Sequence, residues 1–291
     1  MDKRQAHIIF LWVTVILTWI SACTPLNTPA PAPMATPTLS ASPTPSTPTV
    51  VASTPTPAGC IEQRGQVHRV TFDSAALPQF HIYLPACYDA NLETHYPVLY
   101  LLHGQGFNDD QWLRLGVAER ADRVMSAEEI SAYLIVMPFD KASWRNVDDD
   151  EFGEVLVNEL LPYIDENYRT LPTRNKRAVG GLSRGAGWAI RYGLKRWKLF
   201  GAFGGHSAAI FYKDYSRLDD WLAEIPSNAL PKIYLDIGDQ DKERGSILQF
   251  VDLLTEEGVP HEWRLYTGNH DEIYWATHTE EYLRWYGEVL E

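Results

Sequence analysis

Five consecutive residues, Gly181-Leu182-Ser183-Arg184-Gly185, carry the types and spacing for covalent chemistry. They form G-x-S-x-G between a short apolar run at 177–180 and a helical pattern at 184–195. A strand that turns sharply into a helix lifts the serine hydroxyl clear of a sheet. The glycines leave room for the two elements to approach each other. The same turn puts the Arg184 N–H at a helix N-terminus, where the dipole favours an oxyanion. A serine so placed can attack a carbonyl carbon if a base takes its proton and a carboxylate orients that base.

In a strand–turn–helix setting the partners follow in the order Ser, acid, His. Four histidines lie beyond Ser183: His206, His261, His270 and His278. His206 directly follows the run 201–205 with no acid loop between, and reads as packing or pocket wall. His261 begins a strand after Pro260 and reads as solvated, and His278 falls on the surface of the last helix. His270 stands in the loop Thr267-Gly268-Asn269-His270-Asp271, between the run 263–266 and that helix. This is a strand carboxyl end, so His270 is the expected base.

The acid belongs to the loop after the run 233–237, which reads Asp236-Ile237-Gly238-Asp239-Gln240-Asp241. Asp236 is still within the strand, and local pattern leaves Asp239 and Asp241 both open. A calcium loop counted from Asp239 fails, because Arg244 stands where glycine is needed and Phe250 where glutamate is needed. The chain has no H-E-x-x-H zinc motif and no G-x-x-x-x-G-K-[ST] phosphate loop. The expected chemistry needs no metal or organic cofactor. A second oxyanion donor is expected after an early central strand. His103-Gly104-Gln105-Gly106-Phe107 follows the run 98–102, and the Gln105 N–H is the candidate.

Elements must hold these loops together. Apolar, β-branched or aromatic runs at 67–72, 80–84, 98–102, 133–137, 177–180, 201–204, 233–237 and 263–266 read as strands. The later ones are nearly continuous apolar stretches, as central parallel strands covered on both faces should be. Helical patterns fall at 151–168, 184–195, 245–257 and in the stretch ending at Leu290. Phe152, Leu156, Leu160 and Ile164 recur every four residues, while Pro162 argues for a kink or break. Alternating strands and helices imply a mainly parallel α/β sheet with right-handed crossovers. The first two strands have no helix between them and are expected as an antiparallel edge hairpin. Ligands of such sheets bind beyond the strand carboxyl ends.

These segments resemble a known family. Tyr83-Leu84-Pro85-Ala86-Cys87-Tyr88, Leu101-Leu102-His103-Gly104, Asn158-Glu159-Leu160-Leu161-Pro162-Tyr163-Ile164, Gly180-Gly181-Leu182-Ser183 and Gly268-Asn269-His270-Asp271 carry the likeness. They resemble the esterase D and enterochelin-esterase-like group of α/β-hydrolases, which includes feruloyl and acetyl-xylan esterases and mycolyltransferases. The resemblance spans 67–290 and implies the α/β-hydrolase fold. It implies a serine esterase acting through an acyl-enzyme on small-molecule or carbohydrate esters. Acyl transfer of the mycolyltransferase type, and a non-catalytic binding module on the same fold, are the rival readings. The family places its acid in a Gly-x-x-Asp pattern, which Gly238-Asp239-Gln240-Asp241 matches, so the resemblance selects Asp241. It also implies a tolerated kink at Pro162. Trp112, Trp144, Tyr274 and Trp275 fall in or near loops on the active side and are candidates to line an aromatic or sugar pocket. Aromatic residues equally fill core.

Length and charge bound the rest. The chain has 291 residues and a formal net charge of −13, which argues against a nucleic-acid partner because phosphates demand a basic surface. Lys3 and Arg4 precede an apolar run at 8–20, followed by Ile20-Ser21-Ala22-Cys23. A basic start, a run of this length and small residues describe an export signal, and the run is short for a membrane span. The ending resembles a lipobox. Residues 1–22 are thus expected as a lipoprotein-type signal peptide, with Cys23 the lipidated residue and the domain held outside the cytoplasm on a membrane anchor.

Residues 24–58 hold ten of the 19 prolines and no Asp, Glu, Lys or Arg. Such a segment cannot bury enough apolar surface to fold, so 23–59 reads as an extended tether. The esterase domain is expected over 60–291, where the charge is −14 because Asp2, Lys3 and Arg4 are the only charges before it. With Cys23 given to lipid, Cys60 and Cys87 are left to form one disulfide.

Overall fold

All eight apolar runs form strands. They are β1 Gln66–Thr71, β2 Gln79–Leu84, β3 Val98–Leu102, β4 Leu134–Pro138, β5 Arg177–Leu182, β6 Ala202–His206, β7 Lys232–Gly238 and β8 Glu262–Tyr266. The computed structural model describes residues 64–127, 129–147 and 151–291. The expected signal peptide, Cys23, the tether and Cys60 lie outside the described residues.

The strands make one sheet in the order β1-β2-β4-β3-β5-β6-β7-β8. β1 pairs with β2, and β2 with β4, in antiparallel fashion, while the pairings from β4 through β8 are parallel. The edge hairpin is therefore present as expected. β3, β4, β5 and β6 are buried at every position, whereas β1 is mostly exposed.

Helices cover both faces. α1 is Gln111–Arg114, α2 Val117–Ser126, α3 Glu151–Val155, α4 Leu161–Asn167, α5 Arg184–Lys195, α6 Leu218–Ala223, α7 Arg244–Glu256 and α8 Glu272–Leu290. Side chains alternate across each strand, so a strand feeds two cores. Tyr100, Val136, Val179, Phe203 and Leu235 pack with α3 to α7. Leu99, Leu101, Ile135, Ala178 and Tyr234 pack with α1, α2 and α8. Each fully buried Val, Leu, Ile or Phe among them contributes roughly 1.5–3 kcal/mol of transfer free energy. This is the α/β-hydrolase architecture.

The Pro162 region adds a detail to the expected kink. Leu156–Leu160, between α3 and α4, is π-helical, and Pro162 sits in the first turn of α4. A proline has no N–H to give, and its ring crowds the carbonyl one turn earlier. The wider π turn just ahead takes up that misfit without breaking the rod. Phe152, Leu156, Leu160 and Ile164 all stay buried.

Register brings the strand ends level. Leu102 lies beside Gly181, Leu182 beside His206, His206 beside Asp236 and Gly238 beside Tyr266. The loops leaving these strands therefore gather on one rim of the sheet.

Candidate active site

Ser183 begins that rim. Its backbone has φ 53° and ψ −117°, a conformation that costs a non-glycine residue on the order of 1–3 kcal/mol. Hydrogen bonds hold it there: its N–H donates to His206 O at 2.9 Å, and its carbonyl accepts from Gly187 and Ala209 at 3.1 Å each. The motif glycines are needed for space. A Cβ on Gly185 would lie 2.3 Å from the carbonyl oxygen of Leu102, and one on Gly181 would lie 2.4 Å from the carbonyl carbon of Gly185.

His270 reaches Ser183 from the loop after β8, the strand at the far edge of the sheet. Its Nε2 stands 2.8 Å from Ser183 Oγ, and its Nδ1 stands 2.9 Å from both carboxylate oxygens of Asp241. The network assigns the tautomer: Nδ1–H donates to Asp241, leaving Nε2 to accept from the serine hydroxyl. The loop that carries His270 is fixed by its neighbour Asp271, whose side chain caps α8 by accepting from Tyr274 N–H at 2.9 Å. The Trp275 ring meets the imidazole edge-on, with centroids 5.1 Å apart.

Asp241 also accepts from Glu243 N–H at 2.8 Å, and its side chain is fully buried. Burial alone would raise its carboxyl, but hydrogen bonds from His270 and the Glu243 N–H, with the imidazole's charge, outweigh it. The group is held below the usual carboxylate range. Asp239, left open by local pattern, is exposed and instead ties two loops together. Its N–H donates to Tyr266 O at 2.7 Å, and its carboxylate accepts from Gly268 N–H at 3.1 Å.

The loop after β3 passes over the serine. A side chain on Gly104 would come within 3.6 Å of Ser183 Cβ. Gly104 N–H donates to Gln111 Oε1 at 2.8 Å and Gly106 N–H to Ser143 Oγ at 3.2 Å, so Gln105 lies between two engaged amides. Arg184 is the first residue of α5, and the first-turn amides of a helix have no acceptor within it. Gln105, Phe107, Trp144, Glu272 and Trp275 line a cavity of about 640 Å³ with Ser183 and His270. A larger cavity of about 840 Å³ beside Tyr212 and Arg217 holds no serine–histidine pair.

Trp144 and Trp275 do line the cavity; Trp112 does not. It is 1% exposed, packs on the α8 side of the sheet and donates from Nε1 to Leu102 O at 2.9 Å. The short α1 turns Trp112 inward toward the core, away from the loop surface. Tyr274 is buried too, donating to Asp236 at 2.7 Å. His206 is a packing residue: it bonds Asp236 at 2.7 Å and Tyr286 at 3.0 Å, and stacks on Tyr282.

His261 is half-buried, with Nδ1 2.8 Å from Val259 O. His278 is more covered than a surface position, because its ring stacks on Tyr266 at 4.2 Å. Cys87 is disulfide-bonded, and its partner lies outside the described residues. Sequence reasoning missed Asp140, Gln111 and Asp271. Asp140 had one available signal, its place just past the carboxyl end of β4.

Fold and site together define an α/β-hydrolase with serine, histidine and aspartate joined at the carboxyl rim of its sheet. The chain belongs to the esterase family described as "Putative esterase", which it matches over residues 77–286. It is 28% identical over 225 residues to an endo-1,4-beta-xylanase/feruloyl esterase of Xylanibacter ruminicola, covering 72% of this chain and 30% of that protein. An acetyl esterase of Caldicellulosiruptor saccharolyticus is 27% identical over 239 residues, covering 68% of this chain and 85% of its own. Among solved structures, a ferulic acid esterase superposes with a TM-score of 0.70 at 26% identity, covering 78% of this chain and 99% of the other. The chain thus spans under a third of the feruloyl-esterase relative's length and most of the acetyl esterase's.

Proposed function

We propose that the folded domain is a serine carboxylic ester hydrolase whose substrates are acyl or feruloyl esters of carbohydrates. Ser183 Oγ attacks the ester carbonyl carbon as its proton passes to His270 Nε2. Asp241, ionised, accepts from Nδ1–H and stabilises the imidazolium. The carbonyl oxygen becomes an oxyanion that accepts from the N–H groups of Gln105 and Arg184. When the tetrahedral species collapses, the bond to the alcohol breaks, and the alcohol leaves with the proton from His270. Water then attacks the acyl-serine, giving a proton to His270 in turn. The acid departs and the serine hydroxyl is restored.

The observation that carries this reading is His270, 2.8 Å from Ser183 Oγ and 2.9 Å from Asp241. Support for the substrate class comes from the names of the relatives and from the aromatic mouth of the cavity. Trp144 is 73% exposed there, and Trp275, 3% exposed, has an indole N–H with no partner among the described residues.

The test is a panel of p-nitrophenyl acetate, p-nitrophenyl butyrate, methyl ferulate and acetylated xylan, offered to residues 59–291 and to the Ser183→Ala variant. Hydrolysis of at least one ester, abolished in the variant, is expected. Turnover that survives Ser183→Ala would sink the proposal.

Export and anchoring rest on the residues read above, and no described helix is long and apolar enough to cross a membrane. We propose that Cys23 carries lipid and that the Pro-rich tether holds the esterase domain off the membrane surface. A single acyl chain binds a membrane only marginally, so stable anchoring requires more than one. Labelled palmitate should enter the full chain expressed in a bacterial host. Equal incorporation into Cys23→Ala would refute the assignment.

A further inference from the structure

His103 directly follows β3 and is 4% exposed. Its Nε2 lies 2.9 Å from the backbone N of Asp140, and its Nδ1 lies 2.8 Å from the carbonyl oxygen of Gly104. An amide can only donate, so Nε2 is the acceptor and the ring proton sits on Nδ1, where it is given to Gly104 O. That carbonyl belongs to the peptide unit whose other end is the Gln105 N–H. In a planar trans peptide the C=O and N–H point in opposite directions. Gly104 O also accepts from Phe107 N–H at 3.3 Å, and the bond from His103 is the shorter of the two that set the direction of the Gln105 N–H.

Asp140 also reaches the side chain of Arg184, whose backbone N–H is the other proposed donor. Its Oδ2 accepts from Arg184 Nε at 3.2 Å and from Trp188 Nε1 at 3.3 Å, while Oδ1 accepts from Ala142 N–H at 3.1 Å. We infer that His103 and Asp140 are positioning residues of the oxyanion hole. His103 aims the Gln105 amide, and Asp140 ties both His103 and the Arg184 turn to the loop after β4. This inference rests on Ser183 being the nucleophile. Burial also holds the imidazole below its ordinary range, against the pull of Gly104 O and of the Asp140 and Asp109 carboxylates and with the help of Arg184. A proton on Nε2 would face the Asp140 N–H and break the chain of bonds.

Two substitutions separate positioning from packing. In His103→Asn the side-chain amide falls near the Nδ1 position and can still donate to Gly104 O. In His103→Gln it falls near Nε2, where it can meet Asp140 N–H but not Gly104 O. Removing an oxyanion donor typically costs about 10²–10³ in rate, so misaiming one should lower kcat of His103→Gln by about 10- to 100-fold. KM for p-nitrophenyl acetate should stay within about twofold, because the interaction is made in the transition state. His103→Asn should keep most of kcat. Inhibition by a boronic acid, whose tetrahedral adduct places an oxygen in the hole, should weaken in step with kcat.

Equal losses in the two variants, a loss confined to KM, or thermal melts showing both unfolded would overturn the assignment. In the last case His103 would be a core residue only. A wild-type domain inactive on every ester overturns the hydrolase reading and this one together. Wild-type activity with equal losses overturns this one alone.

Discussion

Two aspartates only two residues apart have opposite fates. Asp241 is buried against His270, while Asp239 faces solvent and braces a loop. Without Asp241 the imidazole loses its tautomer and the partner for its charge, so Asp241→Asn should lower kcat/KM by roughly 10³- to 10⁴-fold. Asp239→Asn should stay near wild type in the same assay. A large loss at Asp239 with little at Asp241 would reverse the assignment. The sequence could not separate them because both sit on a loop of alternating polarity, where neither burial nor facing direction leaves a periodic trace. Trp112 failed for a related reason. Four residues of helix are too few to reveal which side faces the core.

At the scale of elements, the site is assembled by the ends of strands and the beginnings of helices. The strands were legible because each is a run of apolar or β-branched residues cut off by polar or glycine-rich turns. The antiparallel hairpin was legible from the missing helix between β1 and β2. The π turn before Pro162 was not, since the sequence only announces a misfit there and packing decides how it is absorbed. α8 shows what such an element does for chemistry. Asp271 caps its first turn, and His270 is the very next residue toward the N-terminus. Asp271→Ala should cost about 1 kcal/mol of stability through the lost cap. It should also lower kcat more than it raises KM, because the imidazole loses its fixed approach to Ser183. Thermal melts beside steady-state kinetics check both parts, and unchanged kcat would make the cap structural alone.

For the molecule as a whole, buried ionisable groups decide how stability follows pH. His103 is held neutral, so as pH falls below about 6.5 the unfolded chain takes up a proton that the folded chain refuses. Stability should then fall on acidification by up to about 1.4 kcal/mol per pH unit from this residue. Asp241 has the same sign in a lower window. Its carboxyl is depressed, so its contribution is present above the usual carboxylate range and is lost as pH drops through the folded value. Denaturant melts between pH 7.5 and 5 should slope downward toward acid, and His103→Asn should flatten that slope. An unchanged slope in the variant would place the acid sensitivity elsewhere.

The expected division of the chain at Cys60 rests on charge, since residues 24–58 hold no charge and residues 60–291 carry −14. The substrate was not readable. It depends on which side chains end up around 640 Å³ of space, and that follows from loop packing.

Trp144 gives that space an optical handle. Its indole packs directly over Gly106, so that a Cβ there would fall 2.3 Å from the ring, and yet it remains largely open to solvent. It is one of ten tryptophans; those remote from the cavity should emit as a nearly constant background, and the contribution of Trp275, which also lines it, is common to both proteins. Subtracting the emission of Trp144→Phe would isolate one fluorophore resting on the loop that holds the Gln105 amide. Its colour and intensity should report when the cavity fills, before any bond is broken, and allow binding and acylation to be timed as separate events.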